Sequence, residues 1–345
     1  MTTPPATSNP WMFPKDYLRC HLVNRDPCII ISYGSPMAAP TQLCQHLAHR
    51  KVYFLLGNWW SLLDFGLLMQ TKCVYSMLRE QYPLHEFIFL TNAPDECRIL
   101  ERVGLPGYFC HHNAFLDERI FRPLPQVAKD LDAVYTARLS RFKRHLLARD
   151  IPSWGLLYYL LEENRPKQRA YLRHLQRLMP GMACPNHDPQ TGQYRRLSAE
   201  EMCQAYNRAR VGLCLSEAEG GNYAATEYLL CGLPVVSTKN QGGRDYFLDA
   251  ENSRTIEPEG GAVARAVAEL ISLNLSPREI RLRALLKIRE VRQDFIRLVG
   301  AILQREGCHE NFADRFDSVF VHKMLTHPGT PEEFVAKHGL GPGQA

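Results

Sequence analysis

The stretch SEAEGGNYAATEYLLCGLPVVST, Ser216 to Thr238, places two acidic residues, Glu219 and Glu227, with seven residues between them. A glycine pair, Gly220-Gly221, follows the first, and Gly232-x-Pro234-Val235-Val236 follows the second. The preceding run VGLCLS reads as a buried strand ending at Ser216, so Glu217 to Asn222 form the loop at its carboxyl end. Glycines there let the backbone approach a ligand closely. The helix expected from about Tyr223 points its unpaired N–H groups at the same spot, a natural place for phosphate. Glu227 falls about one turn inside that helix and can face the ligand. A carboxylate suits phosphate poorly but accepts well from vicinal hydroxyls such as those of a ribose. The loop therefore reads as a site for a sugar joined to a nucleotide through phosphates.

Alternating apolar runs and amphipathic stretches supply the frame for this loop. CIIISYG, KVYFLLGN, EFIFLTN and GYFCHHNAF read as strands separated by helices such as PTQLCQHLAHR and APDECRILERVG. After the proline-bearing segment DERIFRPLPQVAKDLD the pattern restarts with AVYTARLS, WGLLYYLL, VGLCLS, LPVVST and RTIEP. A long helix is expected from about Pro277 to Gln304. Unbroken apolar strands alternating with helices predict parallel sheets covered on both faces. The expected class is α/β, two doubly wound, Rossmann-like domains with a hinge near residue 128 and a ligand cleft between their strand ends. The expected divisions are a disordered Pro/Thr/Ser-rich segment over 1–18, a first domain over 19–128, a second over 129–306, and a tail over 307–345 that packs back on the first domain.

Composition narrows the functional classes. The chain has 345 residues, 45% hydrophobic and 22% charged, as in ordinary globular proteins with room for two cores. No run is long enough to span a membrane, and the N-terminus lacks a signal-peptide pattern. The 11 cysteines are an odd number with no Cys-x-x-Cys pair, which fits a reducing cytosol better than a secreted scaffold. The net charge of +5 is unevenly placed, with basic residues crowding Arg138–Arg177 and Arg278–Arg305, stretches that read either as solvated helix faces or as surfaces for anionic substrates or an acidic membrane. No nucleic-acid-binding motif is present.

The string Ser216-x-x-Glu219-Gly220, Glu227, Gly232-x-Pro234, Gly242-Gly243 closely resembles the donor-binding signature of glycosyltransferase family 4, retaining enzymes of GT-B architecture. The likeness extends upstream. HHNAFLDERIFRP is similar to the family's Asn-Gly-Val-Asp…Phe-x-Pro segment, and YTARLSRFKRHLLA to its Gly-Arg-Leu…Lys segment. The resemblance implies that Arg138 and Lys143 reach the donor diphosphate and that Glu219 holds sugar hydroxyls. It also implies that the Gly220, Gly221 and Asn222 backbone holds phosphate or sugar and that Glu227 holds the ribose. A guanidinium and an ammonium beside a leaving diphosphate would stabilise its developing charge. Two positions depart from the pattern. Ala137 stands where the family has Gly before the Arg, and Asp245, preceded by Arg244, stands where a Glu follows the Gly-Gly pair. On the acceptor side, SYGSPMAAP and GNWWSLLDFG are alternative loops. Trp59 and Trp60 are able to stack on a sugar or simply pack on the sheet, and His111 and His112 to polarise a hydroxyl or serve structure.

These readings predict a retaining hexosyltransferase in the cytoplasm that moves a sugar from a nucleotide-diphosphate donor, a UDP-sugar by expectation, to an acceptor hydroxyl. The acceptor is a sugar, a lipid-linked group or a small molecule, and no cofactor or nucleic acid is expected. The alternatives are another GT-B-fold enzyme, such as a nucleotide-sugar epimerase or sugar phosphorylase, and a non-catalytic sugar-nucleotide binder. Asp130-Leu-Asp132 has the Asp-x-Asp form of a metal-dependent GT-A site but precedes its strand instead of following it, so metal-independent transfer is expected.

Overall fold

A computed structural model describes residues 18–161, 165–321 and 329–343. The Pro/Thr/Ser-rich start expected to be disordered lies outside them except for Leu18, whose N–H donates to Gly329 O at 2.8 Å. The chain forms two compact units. One runs to Phe115 and resumes at Val291, and the other spans Leu116–Glu290. The sequence reading placed these divisions at 128 and 306. The long C-terminal helix explains the second difference, because it is continuous across 290 and gives no signal in its pattern where it passes from one unit to the other.

In the first unit, β1 (Cys20–Asn24) is an antiparallel edge strand on β2 (Cys28–Gly34). There follow α1 (Ala38–Leu43), β3 (Val52–Asn58), α2 (Phe65–Gln81), β4 (Glu86–Thr91), α3 (Pro94–Arg102) and β5 (Gly107–Phe109). β2 to β5 are parallel and lie in sequence order. Every residue of β2 and β3 is buried, which is why both read as unbroken apolar runs. One set, Cys28, Ile30, Phe54 and Leu56, packs with Leu43, Leu68 and Leu100 from the three helices. On β3 the alternate residue Tyr53 instead donates its hydroxyl to Glu306 at 2.5 Å. β1 had no clear alternation and was not anticipated. GYFCHHNAF also pairs only over Gly107–Phe109 before turning into a 3-10 segment, His112–Phe115.

The second unit comprises β6 (Leu131–Thr136), β7 (Trp154–Leu157), α4 (Arg165–Leu178), β8 (Met182–Ala183), α5 (Ala199–Asn207), β9 (Ala209–Cys214), α6 (Tyr223–Leu230), β10 (Val235–Thr238), β11 (Ser253–Ile256) and α7 (Gly260–Leu273). α8 (Pro277–Arg305) then leads back to the first unit, which ends with α9 (Phe316–Val319) and α10 (Pro331–Lys337). Leu340, in the tail, is buried in the first unit's core. The sheet order is β11-β10-β9-β6-β7-β8, with every pairing parallel. Counted within the unit this is 3-2-1-4-5-6, the doubly wound order, and its direction reverses between β6 and β9. The helix expected between β6 and β7 is replaced by two 3-10 turns, Arg141–Lys143 and His145–Ala148. β8, two residues long, was not anticipated.

α6 lies against β9 because Gly212 has no side chain. A Cβ there would stand 2.3 Å from Tyr228 Cδ2. The Tyr228 hydroxyl in turn accepts the Thr136 N–H at 2.7 Å, tying α6 to the end of β6. α6 ends in a Schellman turn. Gly232 takes φ 77, its N–H reaches Leu229 O at 2.9 Å, and Leu233 N–H reaches Tyr228 O at 2.9 Å. Gly232-x-Pro234 is thus a helix stop leading into β10. We predict that Gly212→Ala costs about 1–3 kcal/mol through overpacking, read as a lowered urea midpoint. Trimming the facing ring in Gly212→Ala/Tyr228→Leu should give a double mutant better than additive. Simple additivity would mean that the Tyr228 contact is not the cause.

Candidate functional site

The reversal between β6 and β9 opens a crevice at their carboxyl ends, where doubly wound sheets bind ligands. Two loops border it. After β6 the chain passes Ala137, whose N–H donates to Leu157 O at 2.9 Å, and reaches Arg138 and the turn Arg141–Lys143. After β9 it forms Leu215–Asn222 and enters α6. The sequence-predicted residues from both loops meet here. Lys143 Nζ donates to Glu219 Oε1, and Ser216 Oγ donates to the same oxygen at 2.7 Å. The Lys143 and Glu219 side chains are only 11% and 12% exposed, so their attraction is screened far less than that of a surface pair. The Arg138 guanidinium and the Lys143 ammonium both lie near the Phe142 ring, 5.2 and 5.1 Å from its centre. Lys143 is aimed by its backbone. The Tyr135 hydroxyl donates to Lys143 O at 2.6 Å, and Arg144 turns left-handed at φ 53.

Gly220 and Gly221 are buried in the loop. Its left-handed backbone falls one residue later, on Asn222, with φ 49. Asn222 is the N-cap of α6, but its side chain does not cap the helix. Glu227, expected to face the ligand, has only 4% of its surface exposed, and its Oε2 accepts the Tyr206 hydroxyl at 2.8 Å. Tyr206 in turn receives Thr136 Oγ1 at 3.3 Å. This carboxylate is therefore held in place from α5 and from the end of β6. Periodicity alone did not show it, because α6 is apolar nearly all round.

Arg244 was not recognised as part of the site. Its side chain is wholly buried, and it donates to Ser216 O at 2.8 Å, Ser237 Oγ at 2.7 Å, Asp245 Oδ1 at 2.8 Å and Thr238 O. It thus pins the start of the Ser216–Asn222 loop to the end of β10. The signal was present in the sequence as the departure Arg244-Asp245 after Gly242-Gly243.

The other candidates lie elsewhere. Asp130 precedes β6, at the amino end of the sheet, and pairs with Arg208 at 2.5 Å. In the first unit, His112 is buried with a ring nitrogen 2.6 Å from Tyr33 Oη, and His111 is buried beside it. Trp59 sits under the Arg19 guanidinium, 4.3 Å from the ring centre, while Trp60 is 43% exposed. Among the described residues no group of three or more His, Cys, Asp or Glu is placed to hold a metal ion, and no helix is long and apolar enough to cross a membrane.

Residues 189–285 match the model of the family described as glycosyl transferases group 1. That segment contains Ser216–Asn222, Glu227 and Arg244 but neither Arg138 nor Lys143. No curated protein matches the chain. Among solved structures, HepE of Anabaena in complex with UDP is similar at TM-score 0.55 and 16% identity, over 74% of this chain and 73% of that one. The same protein in complex with UDP-glucose gives TM-score 0.52 and 15% identity over 78% and 73%. Sucrose-phosphate synthase of Thermosynechococcus elongatus gives TM-score 0.57 and 16% identity over 84% and 74%. At these identities the likeness is one of fold, the GT-B fold of two Rossmann-like units.

The bridge from Arg244 is expected to matter for stability. Arg244→Ala leaves Asp245 without its cation and two buried carbonyls without the guanidinium that donates to them, and should cost about 3–5 kcal/mol in urea unfolding. Arg244→Lys, which lacks the planar fork, should recover only part of it. A loss under about 1 kcal/mol for Arg244→Ala would show that the loop is held by other contacts.

Proposed function

We propose that the protein is a retaining glycosyltransferase that moves a hexosyl group from a nucleotide-diphosphate sugar, a UDP-sugar, to an acceptor hydroxyl. The observation that carries this reading is the Lys143–Glu219–Ser216 cluster at the reversal of a doubly wound sheet, with Glu219 inside the segment matched by the group 1 model. HepE, whose fold is similar, is described in complex with UDP and with UDP-glucose, which supports a UDP-sugar as donor.

In this reading the diphosphate lies against the N-terminus of α6, where the Gly220–Asn222 backbone and the first helical N–H groups face it. Arg138 and Lys143 stabilise the charge that grows on it as the glycosidic bond breaks. Glu219 keeps Lys143 in place before the donor arrives and then accepts from sugar hydroxyls. Glu227, fixed by Tyr206, accepts from the ribose. The acceptor hydroxyl approaches the face from which the diphosphate departs, and the departing phosphate oxygen takes its proton. No separate protein base is required, and the charge stabilisation that a metal would give falls to Arg138 and Lys143.

Three measurements test these roles. Arg138→Ala and Lys143→Ala should each lower turnover by about tenfold to a thousandfold with the fold retained, and turnover within twofold of wild type for both would discard the assignment. Activity should also persist in excess chelator. Loss on chelation with rescue by manganese or magnesium would point to a metal-held diphosphate instead. The two glutamates should fail differently. Glu227→Gln should weaken UDP and intact donor alike, by roughly fivefold to a hundredfold, because the ribose is common to both. Glu219→Gln, whose amide oxygen can still accept from Lys143, should leave UDP affinity nearly unchanged and reduce turnover. Equal weakening of UDP by both variants in calorimetric titration would show that the roles are misassigned.

A further inference from the structure

We propose that the groove between the turns Arg141–Ala148 and α4 is a second anion site, one that takes a phosphate group carried by a small molecule. Arg141, Arg144, His145, Leu146, Tyr171 and His174 line a cavity of about 340 Å³. None of these six is assigned a donor contact above, although Arg141 lies in the turn that borders the donor crevice. Arg141, Tyr171 and His174 also line a larger cavity of about 740 Å³, to which Lys167, Gln168 and the donor-site residue Arg138 contribute. The two spaces are therefore continuous along the α4 side of the turns.

The chemistry of the lining points to an anion. α4 carries Lys167, Arg169, Arg173, His174 and Arg177 and no acidic residue from Arg165 to Leu178. Glu162 and Glu163, which precede it, lie outside the described residues. Among the described residues no carboxylate pairs with Arg141 or Lys167, and the Arg144 guanidinium is 3.2 Å from Glu217, whose side chain is 70% exposed. The guanidinium forks of Arg141 and Arg144, both among the lining residues, match the oxygens of a phosphate. The stacked rings of Tyr171 and His174 also line the cavity.

An independent observation comes from His145. It is completely buried in the cavity wall, its Nδ1 is 3.4 Å from the Tyr171 hydroxyl, and its Nε2 has no partner among the described residues. Burial, with Lys143 nearby, lowers its pKa to about 3, so the ring is neutral and carries one N–H. A buried ring nitrogen left without a partner is costly, and with the Tyr171 hydroxyl donating to Nδ1 the proton sits on Nε2, which a phosphate oxygen would satisfy once a shift of the wall uncovers it. The enclosed volume suits a small phosphomonoester better than a polymer.

The groove is wired to the donor loop. Arg144 directly follows Lys143, and Glu217, its ion-pair partner, lies two residues before Glu219. An anion that draws Arg144 away from Glu217 loosens one tie on the loop that bears Glu219. This coupling rests on the donor reading above, whereas the binding itself does not.

The test titrates the full chain with inorganic phosphate and glucose 6-phosphate, by calorimetry and phosphorus NMR, in the presence and absence of UDP. Vesicles of phosphatidylcholine with and without phosphatidic acid run in parallel. Saturable binding of a soluble probe is expected, weakened about tenfold or more in Arg141→Ala/Arg144→Ala and retained when UDP is saturating. Arg141→Ala alone should leave UDP affinity within twofold. Adsorption restricted to phosphatidic-acid vesicles, with the same dependence on the two arginines, would identify the phosphate as a lipid headgroup. The proposal is overturned if neither soluble probe nor vesicle binds, if the double variant binds as wild type does, or if UDP displaces the probe one for one. Failure of wild type to bind UDP while phosphate still binds through Arg141 and Arg144 would sink the donor reading and leave this site standing.

Discussion

The candidate site depends on one buried cation. Arg244 has no solvent around it, so its charge and its donors must be met within the fold. They are met by Asp245, by the hydroxyl and carbonyl of Ser216, and by the end of β10. Because a guanidinium is planar and its donors diverge at set angles, these partners can be satisfied together in only one arrangement of the loop. The strand ends are thereby locked to each other at the point where the sheet reverses. Ser216, held at its carbonyl by Arg244, in turn directs its hydroxyl to Glu219, which meets Lys143 from the neighbouring strand's loop. Removing the first link would leave the others without a fixed origin.

A second, apolar constraint acts from beneath. Gly212 admits the Tyr228 ring onto β9, and the hydroxyl of that ring accepts the N–H of Thr136, the last residue of β6. The same packing brings Glu227 to Tyr206 and so to Thr136. A large aromatic face buries apolar area while its hydroxyl still meets a backbone N–H, so α6 has little freedom to rotate. A helix that cannot rotate presents its N-terminal N–H groups in one direction.

Much of this was legible in the chain, and the exceptions share a cause. The strands of both sheets are short apolar runs closed by loop residues, and an apolar run of that length between helices has few other places to go. The long helix Pro277–Arg305 was likewise readable from its periodicity. The edge strand Cys20–Asn24 and the two-residue Met182–Ala183 were not, because pairing at a sheet edge depends on a neighbour already in place and leaves little pattern. The helix expected between β6 and β7 became two 3-10 turns, with Arg144 left-handed between them.

For the site, the types and spacing of Glu219, Gly220, Gly221, Glu227 and the Gly232-x-Pro234 stop were fixed in one contiguous stretch, and local chemistry was enough to read them as a strand, a loop and a helix start. Sequence order also determined that Arg138 and Lys143 follow the first strand of the second unit. It did not determine that Lys143 reaches Glu219, 76 residues away, that Glu227 is enclosed with Tyr206, or that Arg244 is the buried anchor. Those outcomes were decided by the tertiary structure. A side chain's partners across a sheet are set by strand order and burial, and a charge becomes structural only once the surrounding fold has removed its water.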